Sequence, residues 1–219
     1  MLPTAQISPE VRNWLNEGGF ENLCFISYPH VRSGSGLKDF ASRIRESLLE
    51  ELELAGANPN VFIDHSIPPG SEWPRHLKEN LGQSVAMVAI LAPLYFTEDH
   101  GWCGKEWAAM TALGQARHPN SAIKPIIPVL FRETSIPAGA GEVQYVDLSR
   151  VSISGRRYYS TEDFRRKVLG ITGQVLEIAR HLYLNRSRAS DGINFPILSP
   201  FQMRGPMIEP AQPPPLRAA

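Results

Sequence analysis

The chain has 219 residues, and Lys plus Arg and Asp plus Glu each total 22. That balance argues against nucleic-acid binding as the main function, because phosphate contacts need an excess of cations. Hydrophobic residues make up 42%, ordinary for one globular domain with a full core, and two cysteines, Cys24 and Cys103, are too few for a disulfide framework. No basic-then-apolar leader opens the sequence, and no run approaches the roughly 18 apolar residues of a membrane span. A cytoplasmic protein in a reducing compartment is the expectation, with neither nucleic acid nor membrane as partner.

In chain order, residues 9–16 form a short lead-in with helical character. "NLCFISY" at 22–28 reads as a buried strand. A loop, "VRSGSG", leads to Leu37, Phe40, Ala41, Ile44, Leu48, Leu52 and Ala55, whose three-and-four spacing predicts an amphipathic helix ending near Gly56. "VFID" (61–64) is a second strand and "HSIPPGSEWP" a breaker-rich loop. A third helix follows, with Pro74 in its first turn. "VAMVAIL" (85–91) is apolar throughout, as a central parallel strand covered on both faces requires. A helix is predicted from about Cys103 to Ala116. "IKPIIPVLF" (123–131) is a fourth strand, whose Pro125 and Pro128 suggest an edge or a bulge, and "VQYVDL" (143–148) is a fifth.

The last helix, about 161–185, repeats apolar residues at Phe164, Val168, Ile171, Val175, Ile178 and Leu182. Strands alternating with helices predict an α/β fold with a parallel sheet. Beyond residue 186 the proline-rich sequence cannot build a core, so 187–219 is expected to be a flexible tail, open to docking on the domain or a partner.

Ligands of open parallel sheets bind beyond the carboxyl ends of the strands. Three loops meet there, so Ser27, Tyr28, His30, Asp64, Trp73, Trp102 and Glu106 are candidates to converge. The dinucleotide fingerprint does not fit: Gly34 and Gly36 come late, and Asp39 stands where a third glycine belongs. No P-loop and no metal-ligand spacing is present, and no metal is expected. Cys103 is better read as packing than as a nucleophile, for no orienting group is evident.

Glu106 stands apart, in "WCGKEW" at 102–107. It follows Trp102 by one helical turn, so the two share a face, while Trp107 points elsewhere and suits the core. Glu106 is either an ordinary helix-surface charge or a partly dry carboxylate facing a substrate. The second fits a reaction that develops positive charge, such as cleavage of the nicotinamide–ribose bond of NAD+. Its leaving group departs neutral and needs no general acid, so one carboxylate can suffice where glycosidases use two.

"FISYPH", "VFIDHSIPPGSEWPRHL" and "APLYFTEDHGWCGKEW" together resemble a TIR (Toll/interleukin-1 receptor) domain of the bacterial kind. The resemblance implies a flavodoxin-like five-stranded sheet with helices on both faces over 20–186, preceded by a lead-in at 1–19. In many members it also implies NAD+ hydrolysis or cyclisation, with NAD+ as substrate and no cofactor. Trp102, Cys103 and Glu106 match the family's catalytic Ser-x-Trp-Cys-x-x-Glu motif, with His100 at the Ser position. The resemblance nominates Ser27, Tyr28 and His30 as pocket lining and Trp73 as a stacking partner for nicotinamide or an anchor at its helix start. It makes 65–74 a BB-type loop for self-association, on which activity depends. Bacterial relatives imply a setting of anti-phage defence. Other members are scaffolds without activity, so a non-catalytic adaptor is the competing expectation.

Overall fold

The computed structural model describes residues 6–31, 36–58, 60–63, 73–97, 101–119, 121–132, 134, 136–137, 144–150, 158–191 and 207–208. Five parallel strands form the central sheet: β1 (Asn22–Ser27), β2 (Val61–Ile63), β3 (Ser84–Leu91), β4 (Ile126–Leu130) and β6 (Val146–Asp147), in the order β2-β1-β3-β4-β6. Around it lie α1 (Pro9–Glu17), α2 (Leu37–Leu54), α3 (Trp73–Gly82), α4 (Gly101–Arg117) and α5 (Glu162–Leu184). Between β4 and β6, β5 (Ile136–Pro137) pairs antiparallel with β7 (Met207–Ile208).

Every residue of β3 is buried, as the apolar run at 85–91 predicts, and alternate side chains serve two cores. Ala86, Val88 and Ile90 pack with α1, α2 and α5, whereas Met87, Ala89 and Leu91 pack with α3 and α4. The apolar stripe of α5 is buried at all six predicted positions. Two caps fix the flanking helices. Ser8 accepts a hydrogen bond from the Val11 amide ahead of Pro9, and Thr161 accepts one from Phe164 at the start of α5.

The sheet also tolerates Pro128. The Phe131 amide donates to the Leu91 carbonyl, so alternate amides of β4 face β3. The missing N–H of Pro128 therefore faces the other side, where β6 begins only opposite Val129. At that position β4 is an edge, and no ladder bond is lost.

Part of the segment read as tail is packed. The Ala189 amide donates to Gly18, Ser187 Oγ donates to the Arg117 carbonyl, and Ser187 and Ala189 are buried. The Met207–Ile208 pairing in β7 is a second ordered stretch. The lead-in is likewise part of the fold, with Ile7, Val11 and Leu15 in the core. Among the described residues, no helix is long and apolar enough to cross a membrane.

Candidate active site at the end of strand β1

The chain runs from β1 outward to β2 and then returns across β1 to β3. The β1/β3 boundary is thus the point where strand order reverses, the usual ligand crevice of such sheets. Ser27 is the last residue of β1 and lies in register with Ala89 of β3.

Helix α4 brings the acid to this point. Its buried residues include Cys103, Glu106, Trp107, Met110, Leu113 and Arg117, which recur at three- and four-residue spacing along one face. Glu106 therefore occupies a core-facing position rather than a surface one, and is 4% exposed. A carboxylate on an apolar stripe needs polar partners to offset its desolvation. One is Ser27, whose hydroxyl donates to Glu106 Oε2 at 2.5 Å. Ser27 Oγ is also 2.6 Å from the hydroxyl of Tyr95, a fully buried residue just after β3. Burial above all, with Cys103 and Glu106 nearby, pushes the Tyr95 hydroxyl well above its ordinary pKa, against the opposing effect of its bond with Ser27.

Strand alternation separates Ser27 from its neighbour. Phe25 packs in the α3–α4 core and Ser27 reaches Glu106, whereas Cys24, Ile26 and Tyr28 belong to the core of α1, α2 and α5. Tyr28 is 6% exposed, and its ring lies 4.8 Å from that of His30. These two, with Pro29, Val31 and Lys38, line a cavity of about 210 Å³. Lys38 stands in the first turn of α2, whose N-cap Gly36 has φ 67°, a left-handed conformation suited to glycine. Lys38 and the helix N-terminus favour an anion there, and Asp39 in the same first turn offsets part of that charge.

Trp102 is half-buried against the α3–α4 core, and the Lys105 ammonium lies 4.5 Å from its ring centre. Trp107 is 4% exposed and meets Tyr95 and Phe96 edge-on, a core role. Cys103 is buried and outside any disulfide. Trp73 is the first residue of α3, with its side chain outside the described atoms. Asp64 and most of the 65–74 loop lie outside the described residues. The structure thus joins Ser27 to Glu106, and groups Tyr28 with His30. Sequence reasoning missed Tyr95 and Lys38. The first lay inside an apolar-looking run, and the second in the polar face of an amphipathic helix.

Chemically, the end of β1 offers one nearly dry carboxylate held by a hydroxyl on one face of the sheet and, on the other, a small cavity at the start of α2 lined by Tyr28, His30 and Lys38. Among the described residues, no three His, Cys, Asp or Glu side chains cluster as a metal site would need. A family model described as the TIR domain matches residues 24–165, more than half of the chain. The matched stretch runs from β1 into α5 and includes Ser27, Tyr95 and Glu106. No curated protein matches the chain.

Proposed function

The chain belongs to the TIR domain family, and from that premise we propose that it consumes NAD+, breaking the nicotinamide–ribose bond with Glu106 as the catalytic carboxylate. The observation that carries this reading is the burial of Glu106 beside the end of β1, where it is 4% exposed and hydrogen-bonded by Ser27. In the reaction the electron pair of the C–N bond leaves with nicotinamide, which departs neutral. Positive charge grows on the ribosyl carbon and its ring oxygen. A carboxylate in a low-dielectric site stabilises that charge more strongly than one in water. Water then attacks the ribosyl carbon and loses a proton, or an adenine nitrogen attacks to give a cyclic product.

Trp102 forms one wall of the nicotinamide site, and Trp73 and Asp64 complete it from the neighbouring loop. Tyr28, His30 and Lys38 receive the pyrophosphate at the start of α2. Self-association through 65–74 completes the pocket and exposes Glu106, and NAD+ depletion is the output, in the manner of anti-phage defence.

The test is nicotinamide release from NAD+ by concentrated or assembled protein, with Glu106→Gln and Glu106→Ala as controls. Equal release by wild type and both variants sinks the reading. The same burial of Glu106 also suits a structural carboxylate in a non-catalytic adaptor that signals through TIR–TIR contacts. That alternative gains if Pro68→His or Trp73→Ala abolishes capture of a second TIR domain while assembled wild type leaves NAD+ intact.

A further inference from the structure

Tyr95 is 0% exposed, yet it carries a hydroxyl into the α3–α4 core. That hydroxyl is 2.6 Å from Ser27 Oγ, which in turn is 2.5 Å from Glu106 Oε2. Ser27 Oγ donates to Glu106 Oε2, and a hydroxyl has only one hydrogen to give. Ser27 then has only lone pairs to offer Tyr95, and the tyrosine must be the donor. The three groups form a directed chain, from Tyr95 O–H to Ser27 O–H to the carboxylate.

We infer that Tyr95 is a positioning residue for Glu106 and acts through Ser27, holding the serine hydroxyl in one rotamer and polarising it toward the carboxylate. This rests on the NAD+-cleaving reading above and assigns that site a third member. Two further features support it. The Tyr95 ring is held edge-on by Phe96 at 4.8 Å and by Trp107 at 6.3 Å, so the hydroxyl has little freedom to swing away. Burial keeps the phenol protonated throughout the physiological range, so the direction of donation does not reverse. The titratable groups bearing on the phenol are Cys103 and Glu106. Hydrogen-bonded chains polarise one another in a dry interior, so the outer donor strengthens the inner one. Trp107, adjacent to Glu106 in sequence, grips the ring whose far end orients the acid.

The experiment compares Tyr95→Phe, Ser27→Ala and the double variant in nicotinamide release by assembled protein. Tyr95→Phe preserves the ring and its packing. It is expected to lower kcat about tenfold, with KM within about twofold and the acidic limb of kcat moved to higher pH. In the Ser27→Ala background the same substitution is expected to cost nothing further, because its route is already cut. Wild-type kcat and pH profile in Tyr95→Phe overturn the inference, and so does a full additional loss in the Ser27→Ala background.

A second measurement does not depend on turnover. In protein labelled with 13C at glutamate carboxyls, the resonance missing from Glu106→Gln identifies Glu106. Its titration midpoint is expected to rise in Tyr95→Phe, and an unchanged midpoint overturns the coupling. A shifted midpoint in a protein that releases no nicotinamide upholds the coupling and sinks the catalytic reading.

Discussion

The Lys105 ammonium sits 4.5 Å from the ring centre of Trp102, one turn along the same helix. A ring face that already carries a cation attracts a second one poorly, and the nicotinamide of NAD+ is a cation. Replacing Lys105 with Met is expected to lower KM for NAD+ by two- to fivefold. That corresponds to the ~0.5–1 kcal/mol typical of a solvent-accessible cation–π contact. Because nicotinamide loses its charge on leaving, the gain is confined to the bound substrate, so kcat should fall by a similar factor and kcat/KM stay near the wild-type value. Steady-state release assays over a range of NAD+ concentrations measure both. An unaltered KM would show that substrate does not use this face of Trp102.

Arg117, buried at the other end of α4, donates to the Gly82 and Ser84 carbonyls and to Ala189, and lies over the Phe20 ring. Burial lowers its guanidinium to about 10, which leaves it charged at neutral pH. Arg117→Met strands these buried acceptors and unfastens 187–191. A loss of about 3 kcal/mol is expected, a fall in Tm of roughly 6–12 °C for a chain of this size. Limited proteolysis should show new cleavage after α5. Wild-type stability in this variant would mean that water replaces the guanidinium at no cost.

His118 packs against His181, with ring centres 4.8 Å apart, and both of its ring nitrogens are buried without a hydrogen-bond partner among the described residues. Burial first, then His181 and Arg117, lowers its pKa from 6.5 to about 4. Between those values the unfolded chain holds a proton that the folded one lacks. Stability is therefore full above pH 6.5 and declines as pH falls toward 4. His118→Phe removes this dependence, so its Tm should drop less than wild type between pH 7 and pH 4.5. Parallel thermal melts at the two pH values decide the matter, and identical drops would refute it.

Two glycines should respond oppositely to alanine. At Gly114 an added Cβ would lie 2.7 Å from Pro125 Cγ, too close for α4 to keep its seat against the approach to β4. Overpacking of about 1–3 kcal/mol outweighs the gain in helix propensity of ~1 kcal/mol, and Gly114→Ala should be destabilising. At Gly170 in α5 the Cβ meets nothing within 4 Å. Gly170→Ala should stabilise by up to about 1 kcal/mol, or roughly 2–4 °C in Tm. Calorimetry on the pair tests both signs.

Much of the architecture was legible because burial leaves a periodic trace. The α5 stripe repeats at three and four residues, and β3 is apolar from Val85 to Leu91. Pro128 was legible in part, as an edge signal whose reason appears only once the partner strands are placed. Glu106 could be singled out beside Trp102, but its hydroxyl partner lies 79 positions earlier, and only the sheet order brings Ser27 to it. Tyr95 was invisible for the opposite reason. Its ring fits an apolar context, so its hydroxyl carries no signal until Ser27 is seen beside it. The packing of 187–191 was hidden by the prolines that follow, which dominate the composition of the whole stretch.

Helix α4 carries Glu106 and Arg117 on one buried face, 11 residues and about 16 Å apart along the axis. Apolar side chains alone would let a helix creep along the sheet, trading one greasy contact for another. Directional bonds to Ser27 at one end and to Gly82 and Ser84 at the other do not permit that. The two side chains act as indexing pins. A slip of a single residue would strand both in a medium that cannot solvate them, so the seating of the helix and the aim of its acid are set together.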